Sequence, residues 1–331
     1  KTTLDFGSAI EGYAPAPTAQ TVTITNTGNS SFTLTFPTNT NYTVSPTGTQ
    51  VLAPSGTADV SVQPKTGLTA GTYNPTLTFS TDHTSSVDVG ASFTVNAAVY
   101  TISASPDSKD FGSETVGYAP VAAETVAITN TGNKIITLSQ PGGVNFTAGT
   151  LSRTVLNPTD AATFTVSPNN GLAVGTYAET IAVAGTGSAE TGVDVSFTVL
   201  PIVYGITSNG GSTYYLNGSV GLTFTSDGPF SSFTDVTVDG TPLTGSQYNA
   251  SAGSTVVTLY PGYLDTLALG DHTLRVLFTD GYSDAGFTVL SAPEIPATGD
   301  AQPVPLYGAL SVFALLAIAA TAVRRRWRKR V

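Results

Sequence analysis

The strongest constraint on this chain is a repeat at a fixed offset. Asp5-Phe6-Gly7 returns as Asp110-Phe111-Gly112, and Gly12-Tyr13-Ala14-Pro15 as Gly117-Tyr118-Ala119-Pro120, both 105 positions on. Val22, Ile24, Thr25, Asn26, Thr27, Gly28 and Asn29 return as Val126, Ile128, Thr129, Asn130, Thr131, Gly132 and Asn133, 104 positions on. Gly67-Leu68, Gly71-Thr72-Tyr73 and Ser92-Phe93-Thr94-Val95 recur at the same 104. A constant offset over most of a segment means two copies of one domain. The one-residue slip falls between Pro15 and Thr21, where a loop changed length.

Within each copy the pattern has period two. Val22 and Ile24 face one way and Thr21 and Thr23 the other. Asn26-Thr27-Gly28-Asn29 reads as a turn, because Asn and Gly accept positive φ at little cost. The stretches 31–36, 59–62, 73–79 and 87–95 repeat the alternation. Short pieces near Phe6, Tyr42 and Val51 bring the count to about seven strands in about 100 residues. That spacing predicts a β-sandwich of immunoglobulin type. No stretch before Leu306 keeps helical periodicity for three turns.

The Asp-Phe-Gly opening, the Val-x-Ile-Thr-Asn-Thr-Gly-Asn strand and turn, and the Gly-Leu-x-x-Gly-Thr-Tyr hairpin resemble the immunoglobulin-like modules of bacterial surface proteins. They are most similar to the group related to Hydin-type domains. The resemblance covers residues 1–199 and implies a fold rather than an activity.

A third pattern runs from Pro201 to Leu290. Asp239-Gly240 between two short apolar alternations is a hairpin signal. Residues 254–259, 272–278 and 286–290 read as strands, and 263–267 as one helical turn. This module resembles the X2-type immunoglobulin-like modules, found beside carbohydrate-active domains or just before wall anchors. The predicted class is therefore all-β: three tandem immunoglobulin-like β-sandwiches at 1–98, 99–200 and 201–291. A linker, 292–305, one transmembrane helix, 306–323, and a basic tail, 324–331, would follow.

Cysteine is absent, which removes disulfides, thiolate metal sites and cysteine nucleophiles. Methionine is absent too, and Lys1 falls inside a strand pattern. An upstream part carrying a secretion signal is the corresponding expectation. Charge is segregated. Up to Gly299 there are six basic and 21 acidic residues, a net −15; beyond it, six basic and one acidic, a net +5. A body of that sign repels nucleic acid.

Few residues offer chemistry. His83 lies in the turn-like Thr81-Asp82-His83-Thr84-Ser85, and His272 follows Gly270-Asp271; both read as structural. No Gly-x-Ser-x-Gly elbow leads into a helix. Asp227-Gly228 and Asp280-Gly281-Tyr282-Ser283-Asp284 place oxygen ligands in loops, without the spacing of a calcium loop. Lys65 and Lys109 are replaced by Asn169 and Leu4 at matching repeat positions, against a shared Lys–Asn crosslink. Tyr214, Tyr215, Tyr248, Tyr260 and Tyr263 cluster in the third module, either as core or as an exposed sugar platform. No catalytic residue, metal or cofactor is assigned.

The carboxyl end carries the most specific signal. Residues 306–323 are 18 uncharged positions, apolar on every side. As a helix they would span about 27 Å, close to a hydrocarbon core of about 30 Å. Arg324, Arg325, Arg326, Arg328, Lys329 and Arg330 would act as a cytoplasmic stop signal. Just upstream lies Ile295-Pro296-Ala297-Thr298-Gly299. Pentapeptide, apolar span and basic tail in this order resemble the Gram-positive cell-wall sorting signal of the Leu-Pro-x-Thr-Gly type. Ile295 stands where Leu is usual. The resemblance implies that a sortase recognises Ile295 to Gly299 and cleaves between Thr298 and Gly299. It would then join Thr298 to an amino group of peptidoglycan, so the membrane anchoring is transient.

The function read from the sequence is thus a non-catalytic surface stalk, anchored covalently to the Gram-positive cell wall and displaying an N-terminal region. Its partners would be sortase, peptidoglycan and, before sorting, the membrane. The alternative is an adhesin or carbohydrate-binding module that takes a glycan or host protein through the third domain.

Overall fold

A computed structural model describes residues 2–293. Backbone contacts divide the chain into two compact units, Lys1–Val203 with Asp280–Tyr282, and Tyr204–Thr279 with the residues from Ser283 on. Buried side chains gather into three cores, one spanning Leu4 to Val95, one Ile102 to Val199 and one Tyr214 to Val289.

In the first repeat, one sheet runs in the order Thr3–Ile10, Ser86–Asn96, Thr76–Thr81, Phe32–Thr35, Thr49–Leu52. The facing sheet is Gln20–Thr25, Thr57–Pro64, Tyr42–Ser45. The second repeat follows the same plan, except that Ile136–Thr137 and Val155–Leu156 pair as a separate two-stranded sheet. Ser108–Thr115, Ala189–Leu200 and Gly175–Gly185 form one sheet, and Glu124–Asn130, Ala161–Pro168 and Phe146–Ala148 the other. An extra strand, Ile102–Ser105, lies antiparallel on Glu124–Asn130. Alternation falls as read: Val22 is 2% exposed and Val126 0%, while Thr21, Thr23 and Thr125 face water. Antiparallel strands with one face buried require that alternation.

The Asp-Phe-Gly motif has a specific task. Thr3–Ile10 pairs in parallel with Ser86–Asn96, and the register shifts between Asp5 and Ser8. Gly7 adopts φ +66° in that bulge, which suits a residue without Cβ. Asp5 Oδ1 accepts the Gly7 N–H at 2.9 Å and the Ser92 hydroxyl at 3.1 Å. Asp110 repeats this with Gly112 at 2.9 Å and Ser196 at 3.0 Å. Donation from the Gly N–H, then from the serine, holds both carboxyls below the usual range.

Two local expectations are corrected. None of the residues Asn26 to Asn29 adopts positive φ. The turn is built instead on a buried side chain. Asn26, 2% exposed, donates from Nδ2 to Ser30 O and Leu52 O, both at 2.9 Å, and accepts the Gly28 N–H at 2.9 Å. Asn130, fully buried, does the same with Lys134, Leu156 and Gly132. Second, the strand read over 73–79 is broken into Gly71–Tyr73 and Thr76–Thr81. Pro75 lacks an N–H and interrupts the ladder. The second repeat has Glu179 at that position and keeps one strand, Gly175–Gly185.

In the third module Phe233–Val238 and Thr241–Pro242 form the expected hairpin, with φ 51° at Asp239 and 78° at Gly240. Its sheet continues through Gly270–Phe278 to Gly281–Leu290, and Ser212–Tyr215 adds in parallel. The facing sheet is Ile206–Ser208, Leu222–Ser226, Thr255–Leu259, Tyr248–Ser251. The helical turn is Pro261–Leu264, two residues before the expected place, because Pro261 suits a first helical position. The apolar span 306–323 lies outside the described residues. Among the described residues no helix is long and apolar enough to cross a membrane.

Removing the buried amide tests this architecture. Asn26→Ala or Asn130→Ala leaves two carbonyls and one N–H short of partners in a closed space. Each should destabilise its repeat by about 2–4 kcal/mol, read as a lower midpoint in denaturant unfolding.

Candidate functional site

The candidate groups fall into three classes: those placed in structural roles, those on the surface of the third module, and those outside the described residues. Ile295, Pro296, Ala297, Thr298 and Gly299 belong to the last class. So do Arg324, Arg325, Arg326, Arg328, Lys329 and Arg330.

The two histidines differ. His83 is exposed, and its Nδ1 meets the neighbouring Asp82 carboxylate at 2.7 Å. His272 is enclosed: its side chain is 9% exposed and its ring stacks on Phe287 with centroids 5.4 Å apart. Nδ1 lies 2.6 Å from Asp239 Oδ2 and Nε2 lies 2.8 Å from Ala268 O. Both ring nitrogens face acceptors, which fits the doubly protonated ring. Burial disfavours that charge, but the Asp239 carboxylate and the Ala268 carbonyl outweigh it, so the His272 pKa sits above its ordinary value. Asp239 also accepts the Thr273 N–H at 2.9 Å, across the hairpin it helps to turn. The pair therefore locks a hairpin to a strand.

The loop carboxylates are similarly engaged. Asp227 Oδ1 accepts the Gly205 N–H at 2.8 Å. Asp284 holds Arg275 through two bonds of 2.7 and 2.8 Å. Lys65 Nζ donates to the backbone carbonyls of Thr40 and Asn39, and Lys109 Nζ lies 2.9 Å from Glu124. Glu179 accepts backbone N–H groups from Val144 and Phe146, both at 3.1 Å, and from Asn145 at 3.3 Å.

The five tyrosines do not form one exposed face. Tyr214 is 3% exposed and belongs to the third core, while the next residue, Tyr215, is 48% exposed on the opposite side of their strand. Tyr214's hydroxyl meets Asp265 Oδ1 and Gly218 O, both at 3.0 Å. Burial, then the Asp265 carboxylate, pushes that hydroxyl up. Tyr248 and Tyr263 pack partly against the same core, and Tyr260 is 38% exposed. Alternation along a strand sends neighbouring side chains to opposite faces, so Tyr214 and Tyr215 cannot share a platform.

A different aromatic set is built there. Phe230, 37% exposed, stacks on Phe233 with ring centroids 5.7 Å apart and planes 7° from parallel. Tyr248 meets the edge of Phe233 at 6.5 Å. The 3-10 turn Phe230–Ser232 presents the outer ring. Sequence reading passed over these phenylalanines because Gly228-Pro229 hid them in an apparent loop. The Phe-x-x-Phe spacing across a tight turn was the available signal. Flat apolar rings held rigid at a surface are suited to contact with a partner.

The His272–Asp239 pair makes stability depend on pH. A raised pKa means that the folded form binds the proton more tightly. The stabilisation is full below the ordinary value near 6.5 and is lost as pH rises through the higher folded value. Thermal unfolding of the third module should show its midpoint falling above about pH 6.5. In the His272→Gln variant the same scan should be flat there and lower at acid pH.

Comparison with known proteins places one segment. Residues 207–290 match the family described as "Heme-binding protein Shr-like, Hb-interacting domain". No curated protein matches the chain. Among solved structures, a Porphyromonas gingivalis protein of unknown function is 12% identical, over 55% of this chain and 92% of that one, with a TM-score of 0.24. The Bacteroides ovatus protein SGBP-B of a mixed-linkage glucan utilization locus, solved with a mixed-linkage heptasaccharide, is 16% identical, over 87% of this chain and 66% of that one, TM-score 0.19. An I-band fragment of titin is 14% identical, over 88% and 96%, TM-score 0.22. The family match thus falls within the third module.

Proposed function

We propose that this chain is a non-catalytic protein of the Gram-positive cell surface, whose β-modules at 1–98, 99–200 and 201–291 form a stalk anchored to peptidoglycan. The observation that carries the reading is the order of three features at the carboxyl end. Ile295 to Gly299 comes first, then the uncharged 306–323, then six basic residues between Arg324 and Arg330. A helix of 18 apolar residues followed by such a charge cluster would halt in a membrane. It would hold the Thr298–Gly299 bond within reach of a membrane-bound sortase. Pro296 keeps the site extended and Gly299 lets an enzyme approach the scissile bond closely.

The match of residues 207–290 favours a second reading for one module. The third module binds a protein ligand of the haemoglobin class, and the stack of Phe230 on Phe233 is its contact surface. A glycan is the competing ligand of this reading. The stalk and binding readings are compatible, since an anchored array positions a binding module away from the wall.

Two experiments test these readings. Mass spectrometry of the protein released from cell walls by muramidase should give a carboxyl terminus at Thr298 joined to a wall peptide. Peptides beyond Gly299 still joined to the body would leave a membrane anchor in its place. For the module, immobilised haemoglobin should retain the protein, and Phe230→Ala should weaken binding about tenfold or more, about 1.4 kcal/mol. Unchanged binding would rule out the ring stack, and retention on mixed-linkage glucan instead would favour the glycan.

A further inference from the structure

The third module leaves a strand edge open beside its aromatic stack. Tyr248–Ser251 ends its sheet and pairs on one side alone, with Thr255–Leu259. The register sets Asn249 opposite Thr258 and Ala250 opposite Val257. One step further along that register, the Tyr260 N–H donates to Gln247 O at 2.9 Å, so Gln247 and Tyr260 form a hydrogen-bonded pair. Bonded and non-bonded pairs alternate along an antiparallel ladder. Asn249 and Ser251 therefore turn their backbone groups toward Thr255–Leu259, while Tyr248 and Ala250 turn theirs outward. Among the described residues nothing bonds to those four outward N–H and C=O groups.

Strand edges are commonly guarded by a charge, a proline or a bulge. Two other edges of this module are guarded so. The register of Ile206–Ser208 shifts against Leu222–Ser226, and Thr241–Pro242 ends in a residue without an N–H. Tyr248–Ser251 carries neither charge nor proline. The Tyr248 and Ala250 side chains are half-buried, and Asn249 and Ser251 face water. Tyr248 meets the edge of Phe233, on which Phe230 stacks. A strand laid along this edge would bring every second side chain beside Tyr248 and Ala250, next to those rings. Charge narrows the choice of partner. From Tyr204 to Leu290 there are seven aspartates and one arginine, a net −6 with His272 uncharged. Asp235 stands beside Tyr248: burial first, then this carboxylate, pushes the phenol up. Among the described residues Asp235 accepts only the Val236 N–H, at 2.8 Å.

We propose that the Tyr248–Ser251 edge accepts an extended segment of a partner protein as a further strand. The segment carries apolar side chains at alternate positions, opposite Tyr248 and Ala250, and a lysine or arginine that meets Asp235. Main-chain bonds to Tyr248 and Ala250 supply the pairing, and the stack of Phe230 on Phe233 receives the apolar side chains; in strand addition the backbone gives affinity and the alternate side chains give specificity. Charge argues against a second copy of this module, which would bring like against like, and for a basic partner. The proposal rests on the reading of the ring stack as a contact surface for a protein of the haemoglobin class. The globin fold is built of helices, so the segment is a chain end or a corner between helices.

The test follows haemoglobin binding by the full chain. Ala250→Pro removes one outward N–H and keeps the ladder to Thr255–Leu259, at a place where an edge strand tolerates proline. It should weaken haemoglobin binding about tenfold or more while the melting temperature of the third module stays the same. Asp235→Asn should weaken binding about threefold and flatten its dependence on salt. In the unaltered protein, bound haemoglobin should slow amide exchange of Tyr248 and Ala250 about tenfold or more. That measurement decides the matter even where the proline variant unfolds. Haemoglobin bound in a Phe230-dependent way, with no slowing at either amide, overturns strand pairing and leaves the ring stack as a contact surface. Binding unchanged by Asp235→Asn overturns the basic residue of the segment. No binding of haemoglobin overturns the ring-stack reading and this proposal together.

Discussion

One buried amide in each repeat ties the end of a strand to a strand of another sheet. Asn26 ends the strand Gln20–Thr25 of one sheet, and its side chain donates to Leu52 in the other. Asn130 makes the same bond to Leu156, which in the second repeat belongs to a separate two-stranded sheet of Ile136–Thr137 and Val155–Leu156. Face-to-face sheets otherwise touch through side chains without direction, and apolar packing alone tolerates sliding. A fully bonded amide in a closed space fixes one register, because leaving any of its atoms short costs about as much as a large apolar side chain gains. Turn, strand end and sheet spacing all follow from that residue. Asn133, three positions on, extends the same turn outward, donating to Ala97 O at 2.9 Å and accepting the Val99 N–H at 2.8 Å.

The third module solves the same problem with hydroxyls. Ser226 and Ser283, both buried, bond at 2.9 Å between facing sheets, and Thr255 donates to Gly228 O at 2.8 Å. Gly228 has no room for a side chain, since the Phe278 ring lies against it. The two solutions separate the third module from the repeats more sharply than strand count does.

The aromatic residues show the division between core and surface. In each repeat a tyrosine hydroxyl returns to the backbone four residues back, Tyr73 to Thr69 at 2.7 Å and Tyr177 to Ala173 at 2.8 Å. Tyr42 is buried with its hydroxyl on Tyr73 O, and burial pushes that hydroxyl up to about 12. These rings close cores. Phe230 does not: it is held by Phe233 beneath it and faces outward. A rigid ring at low entropic cost is what a contact surface uses.

Much of the fold was legible in the sequence, because its signals are local. Alternation at Val22 and Ile24, the Asp239-Gly240 turn and the 104-residue offset each express a short-range rule. The break at Pro75 was missed, although the missing N–H was a local signal for it. The roles of Asn26, His272 and Tyr214 were not legible, because each depends on a partner distant in sequence: Leu52, Asp239 and Asp265. The residues from Ile295 on carry their meaning in composition and order, and lie outside the described structure. Sequence by itself determined the all-β class and the repeat, since these rest on period and spacing. Tertiary structure alone decided which polar groups are spent on the core and which rings face outward. Those are outcomes of long-range contact, and no local pattern encodes which surfaces meet.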